Sequence, residues 1–160
     1  MGRTSLQSIV MNASIHDIVV YSSDRRAALV VEVRAAKETS PERASTLRQD
    51  LLQRDPLLGE SHLLLAYSTS LFLWEKNAPA DAKPRTAAVK DVLRDYGGAS
   101  ADREQGPTLE GLTTMLYFWL DDLAVGIRQP KQASEADQLL VHNGVYEQIR
   151  RGHAEREAHG

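Results

Sequence analysis

The chain has 160 residues, of which 42% are hydrophobic and 26% charged, with a formal net charge of −3 at pH 7. These values are typical of one globular domain, and no basic excess indicates nucleic-acid binding on its own. There is no cysteine, which excludes disulfides, thiol catalysis and thiolate metal sites and agrees with the cytoplasmic location that we expect. No apolar run approaches the roughly 18 residues of a membrane span, so no membrane association is expected.

Two short apolar runs, residues 15–22 and 27–35, predict a β-hairpin, because the residues between them are polar and turn-forming. The second run is nearly all apolar, which is typical of a central strand. It nevertheless carries Glu32 and Arg34, which are two apart and therefore share one face. Charges on such a strand are costly unless they are paired or functional. Asp17 adds a second acid near the start of the first run.

A helix is predicted after the hairpin, because Thr39, Ser40, Pro41 and Glu42 combine a hydroxyl cap, an early proline and an acid. Pro56 ends it. The apolar runs 62–68 and 70–75 then predict a second pair of strands, followed by a loop over residues 76–86.

The second half predicts helices alone. Apolar residues recur with helical period over 88–96 and 109–123, and the latter run is the longest and most apolar. Ser134 begins a further helix, and residues 145–157 predict a polar last one. We therefore expect a single α/β domain over residues 1–160. Its α/β core covers about residues 14–75, and its helical C-terminal part covers about residues 85–158.

Asp17 and Glu32 are candidate metal ligands. In an antiparallel hairpin the start of one strand lies beside the end of the next, so the two carboxylates can meet at one end of the sheet. Mg²⁺ prefers oxygen ligands, and the carbonyl of Val33 is available as a third. Such an ion can activate water, while a cation such as Arg34 offsets phosphate charge. The alternative, which the residues leave open, is a structural ion pair of Glu32 with Arg34, Arg43 or Arg48.

The pattern of Asp17, fourteen residues, and then Glu32-Val33-Arg34 resembles the PD-(D/E)xK nuclease superfamily, which has the restriction-endonuclease-like fold. The segment VVEVRAAKETSPERASTLRQDLL, followed by a strand pair ending in LFLW, is similar to small stand-alone bacterial members of that superfamily. The resemblance covers about residues 14–75. It implies a mixed β-sheet flanked by helices, a site dependent on Mg²⁺ or Mn²⁺, and DNA as substrate.

The resemblance also implies roles for individual residues. Asp17 and Glu32 would be the metal ligands, and Arg34 occupies the place of the family's lysine. Arg48 or Gln49, on the following helix, would support the site. Arginine stays protonated and is a poor proton-transfer group, and Lys37 is the nearby residue that could substitute. His16 stands where a proline commonly precedes the aspartate, a change that leaves the ligand itself intact.

The expected function is that of a metal-dependent nuclease, or a nuclease-like DNA-binding protein, that hydrolyses phosphodiester bonds. Whether it is an enzyme stays open because of Arg34. The alternative is a degenerate, non-catalytic member of the fold that forms a homodimer through its C-terminal helices and acts as an interaction or regulatory module. A third interpretation is a structural α/β protein in which Glu32 and Arg34 pair internally.

Overall fold

A six-stranded mixed β-sheet organises the part of the chain that the computed structural model describes, residues 16–34, 39–98 and 107–157. The strands are β1 (Ile18–Tyr21), β2 (Ala27–Val33), β3 (His62–Ala66), β4 (Ser70–Trp74), β5 (Arg85–Ala88) and β6 (His153–Arg156). Their order across the sheet is β5-β4-β3-β2-β1-β6. Only β2 and β3 are parallel neighbours in this sheet, so the described architecture is the predicted α/β class with a mixed sheet flanked by helices.

The predicted hairpin and the helix after it both form. In β1 and β2, Ile18 pairs with Val31 and Val20 with Leu29. The chain then continues into α1 (Pro41–Arg54), whose first turn is capped where Ser40 Oγ accepts the N–H of Arg43 at 3.1 Å. A 3₁₀ turn (Pro56–Glu60) leads into β3. Helix α1 is therefore the crossover that lets β2 and β3 lie parallel.

Strand alternation divides the core into two layers. On one face, Val30 of β2 packs with α1 and the 3₁₀ turn, in the cluster that also contains Leu51 and Trp74. On the other face, Leu29 and Val31 pack against the C-terminal helices. These helices are α2 (Lys90–Tyr96), α3 (Leu109–Val125), α4 (Glu135–His142) and α5 (Val145–Ile149). Because Glu32 has the parity of Val30, it belongs to the α1 face.

Both edge strands come from the half of the chain that was predicted to contain helices alone. Strand β5 replaces the end of the predicted loop and the start of the predicted helix, and β6 lies inside the predicted last helix, which ends at Ile149. A bend follows at Arg151, which has a φ of 72°, and at Gly152, where a Cβ would overlap the carbonyl of Tyr21. Because the backbone passes so close to β1 at this point, the chain continues as a strand paired with β1 and not as a helix.

Among the described helices, none combines the length and the apolar character that crossing a bilayer requires.

Candidate functional site

Asp17 lies at the end of the hairpin, beside the last residues of β2. Its Oδ2 accepts the backbone N–H of Val33 at 2.8 Å, and its carbonyl accepts the N–H of Glu157 at 3.1 Å. The first bond joins the start of β1 to the end of β2. Two acids distant in sequence therefore belong to one end of the sheet, since Glu32 directly precedes Val33.

Glu32 carries its charge into a buried position on the α1 face. Its side chain is 7% exposed, and Oε2 forms a short contact with His16 Nδ1. Oε1 lies 3.5 Å from Arg34 Nη1. The predicted pairing of Glu32 with Arg34 is thus present, but the closer partner is His16. Burial of this carboxylate is offset by one cationic side chain at each oxygen.

His16 links two carboxylates. Its Nε2 lies 3.2 Å from Asp55 Oδ2, while Nδ1 contacts Glu32. The hydrogen bond with Glu32 raises the pKa of His16 above its ordinary value, burial opposes the rise, and Asp55 adds to it. Because both ring nitrogens face carboxylate oxygens, the ring is best satisfied as an imidazolium that donates both N–H groups. We call His16, Asp17, Glu32, Arg34 and Asp55 the hairpin cluster.

Of the side chains that form ion pairs in this cluster, that of Arg34 is the most exposed, with 35% of its surface accessible. Its Nη1 donates to the carbonyl of Val33 at 3.1 Å. The group predicted as a third metal ligand is therefore already in contact with the predicted phosphate-binding cation. A carbonyl oxygen has two lone pairs, so this bond leaves one acceptor position.

The donor set suits a hard divalent cation in chemical type. Two carboxylates and one carbonyl are all oxygen donors, as Mg²⁺ and Mn²⁺ prefer, and such sites take several further oxygens from water and substrate phosphate. Within residues 16–34, 39–98 and 107–157, no three His, Cys, Asp or Glu side chains are grouped to hold an ion. An ion at this end of the sheet would therefore be held by the two carboxylates of Asp17 and Glu32 alone, with water and substrate phosphate as its further oxygens, and Arg34 would have to leave Glu32 Oε1.

Arg48 and Gln49, predicted to support the site, contact the loop between β4 and β5. Arg48 is buried; it donates to the carbonyls of Pro79 and Ala78 at 2.8 and 2.9 Å, and its guanidinium lies 5.4 Å from the ring centroid of Trp74. Gln49 Nε2 donates to Ala80 O at 3.1 Å. These donors hold a loop in place. Lys37 lies outside the described residues.

His16 and Asp55 are the members of the hairpin cluster that sequence reasoning missed. The sequence identifies His16 only as a replacement for proline, and nothing in it singles out Asp55. They are separated by 39 residues, so no local pattern joins them. A signal for His16 existed in its position beside Asp17 at a strand entrance.

A cavity of about 200 Å³ lies on the α1 face and reaches this cluster from one side. His16, Asp55 and Glu157 belong to its polar lining, and Val19 and Val30 belong to its apolar lining. The cavity therefore adjoins the histidine and its anchor rather than the predicted ligands.

Comparisons of the chain with protein-family models, with curated proteins and with solved structures gave no match.

Proposed function

We propose that the chain is a divalent-metal-dependent nuclease with a restriction-endonuclease-like fold, in which Asp17 and Glu32 bind Mg²⁺ or Mn²⁺ and Arg34 binds the scissile phosphate of DNA. The observation that carries the proposal is the 2.8 Å bond from Val33 N–H to Asp17 Oδ2, which brings Asp17 beside the end of β2 that bears Glu32. The antiparallel hairpin, the α1 crossover and the parallel β3 are consistent with the mixed sheet that the resemblance implies.

In this proposal the carboxylates and the arginine have separate roles, which follow from their chemistry. A bound ion would supply Lewis acidity and lower the pKa of water. Asp17 and Glu32 provide the negative charge that would hold it, and Arg34 provides planar N–H donors that match phosphate oxygens. Arg34 is partly exposed, so a phosphate can reach it. Since arginine stays protonated, Arg34 orients and neutralises but accepts no proton.

A cleavage assay tests the proposal. Plasmid and single-stranded DNA are incubated with the wild type and with Glu32→Gln, in Mg²⁺, in Mn²⁺ and in excess chelator. We expect cleavage only with metal, and a loss of about 100-fold or more in Glu32→Gln, because one of two charged ligands is removed. Glu60→Gln, an exposed acid on the 3₁₀ turn, is the matched control and should cleave as the wild type does. Metal binding without any cleavage would contradict the catalytic claim.

A second candidate is the non-catalytic form of the same fold, and one observation favours it. Both oxygens of Glu32 already face cations, His16 and Arg34, so the negative charge that a metal needs is compensated within the protein. If Arg34→Lys cleaves DNA and the wild type does not, the site has lost activity by substitution of its lysine. Cleavage by the wild type would exclude this candidate.

The non-catalytic candidate acts as a homodimer through its C-terminal helices. Phe118, Val125 and Ile127 support it, being 50%, 47% and 77% exposed at or just beyond α3. Sedimentation of the wild type and of Phe118→Ser tests it. A dimer that dissociates in the variant is expected, and a monomeric wild type would contradict it.

A further inference from the structure

We infer that His16 is a positioning residue for Glu32: anchored by Asp55, its imidazole holds Glu32 Oε2 and thereby directs Oε1 to the metal ion. The inference rests on the proposed metal site and extends it to two residues outside the ligand set. It assigns a role to His16, which stands where the resembled family commonly has a proline.

Three different elements contribute the side chains. His16 precedes β1, Glu32 belongs to β2, and Asp55 is the C-cap residue of α1. Their side chains are 9%, 7% and 21% exposed, so little water competes for the bonds between them. Hydrogen bonds in such surroundings are stronger than at a wet surface. The row Asp55–His16–Glu32 thus ties a strand of the sheet to the end of its crossover helix.

The two oxygens of Glu32 are held unequally. His16 Nδ1 makes a short contact with Oε2. Arg34 Nη1 is 3.5 Å from Oε1, which is outside ordinary hydrogen-bond distance, and the same Nη1 donates to Val33 O at 3.1 Å. Oε1 is therefore the oxygen that can exchange its partner for an ion without breaking a good hydrogen bond.

An imidazole suits this task because its two nitrogens point in different directions from one rigid ring. One donates to the ligand, and the other is fixed by a second carboxylate. Partners behind a metal ligand set its orientation, and their removal typically costs about 10- to 100-fold in metal affinity. A purely structural ion pair would instead change stability and leave metal affinity unaltered.

Calorimetric titration of the full chain with Mn²⁺, at one fixed pH, tests the inference. We expect His16→Phe to weaken Mn²⁺ binding about 10- to 100-fold. His16→Asn should recover much of the loss, because the asparagine amide nitrogen can occupy the place of Nδ1 and donate to Glu32. His142→Phe, at the exposed end of α4, is the control and should bind as the wild type does.

Asp55 provides the second pair of variants, at a partly exposed position where folding is less at risk. Asp55→Ala should weaken Mn²⁺ binding, whereas Asp55→Asn keeps an oxygen that accepts from His16 Nε2 and should stay close to the wild type. A urea unfolding curve for each variant separates affinity from stability.

The outcomes separate the inference from the proposed function. If Glu32→Gln abolishes Mn²⁺ binding while His16→Phe and Asp55→Ala bind as the wild type does, the positioning role is overturned and the metal site stands. If the wild type binds no Mn²⁺, or Glu32→Gln binds it equally well, the proposed metal site itself fails and the inference falls with it.

Discussion

Two ionic clusters occupy opposite faces of the sheet and differ in how completely the buried carboxylate of each is hydrogen-bonded. On the helical face, Asp137 is 0% exposed and accepts from Trp119 Nε1 at 2.7 Å, Lys131 N at 2.8 Å and Arg128 Nε at 3.1 Å. Arg128 also bonds Asp95 at 3.0 Å. We call these five residues the helix cluster. On the α1 face, Glu32 is almost as buried, but one of its two cations is 35% exposed and lies 3.5 Å away.

The two buried carboxylates, Asp137 and Glu32, therefore have different roles to be expected of them. Asp137 has donors at both oxygens from three separate residues, so its purpose is to join α3, α4 and the segment between them. Glu32 has one short contact and one long one, and the long one lies on the exposed side. A buried carboxylate whose oxygens all accept hydrogen bonds is typical of a structural charge. A carboxylate that is incompletely hydrogen-bonded and lies beside a second acid is suited to serve as a metal ligand.

The largest expected effect is on the helix cluster. Asp137→Asn places an amide against donors from Trp119 and Lys131 and leaves Arg128 without its buried partner. Breaking a buried pair in this way costs about 3–5 kcal/mol of unfolding free energy. Urea denaturation measures it, with Asp81→Asn at an exposed loop position as the control. A loss of less than about 1 kcal/mol in unfolding free energy would show that a fully hydrogen-bonded buried carboxylate need not contribute much to stability.

Arg48 is a third buried charge, and a single variant can show whether it serves stability or metal binding. Arg48→Met keeps much of the apolar stem but removes the donors to Pro79 and Ala78, and we expect a loss of about 2 kcal/mol in unfolding free energy. Mn²⁺ affinity should not change, because the contacts of Arg48 are to a loop. Arg43→Met, on the exposed side of α1, is the control. Weaker Mn²⁺ binding in Arg48→Met at unchanged stability would contradict this expectation and support the role at the metal site that the sequence predicts for Arg48.

Glu32→Gln should cost little stability, despite burial like that of Asp137. The amide oxygen still accepts from His16, and the partly exposed Arg34 can turn to water. We expect a loss of about 1 kcal/mol or less in urea denaturation. A loss of 3 kcal/mol or more, equal to that of Asp137→Asn, would mean that Glu32 is a structural charge and would remove the contrast between the clusters.

The smallest expected effects are on the pH dependence of the unfolding free energy. The contribution of the hairpin cluster should be lost as pH rises, and that of the helix cluster as pH falls. The pKa of His16 is raised above 6.5, so its contribution is complete below pH 6.5 and is lost as pH rises through the higher folded value. For Asp95, burial opposes the shift, but hydrogen bonds from Lys131 and Arg128 hold its pKa below 3.8. Its contribution is therefore complete above pH 3.8 and is lost as pH falls through the lower folded value.

Unfolding free energies of His16→Gln and Asp95→Asn, each subtracted from the wild type across pH, check these signs. The His16 difference should shrink towards alkaline pH and the Asp95 difference towards acid. A His16 difference that grows as pH rises would contradict the assignment of an imidazolium between Glu32 and Asp55.

Local chemistry made the first half of the fold predictable. Short apolar runs bounded by polar, turn-forming residues predict β1 to β4, and the capping sequence at Ser40 predicts α1. The edge strands β5 and β6 were not predictable, because they are four residues long, partly polar, and formed by pairing with distant or differently patterned strands. Their neighbours in sequence are helical, which extended the helical prediction over them.

The candidate site divides in the same way. Asp17, Glu32 and Arg34 could be chosen from the sequence, because they are charged residues within the two predicted apolar runs and have a recognisable spacing. Contacts that cross between elements could not be chosen, since nothing in the composition relates His16 to Asp55. The order of contacts around Glu32 depends on the path of α1 over the sheet, and that path is a property of packing.

A crystal of the wild type grown with Mn²⁺ and measured for anomalous scattering tests directly whether Asp17 and Glu32 bind a metal ion. We expect one anomalous peak at the end of the hairpin, within coordination distance of one carboxylate oxygen of Asp17 and of Oε1 of Glu32, with Arg34 withdrawn from that oxygen. An ion bound elsewhere, or a map without a peak in which Glu32 still lies between His16 and Arg34, would contradict it.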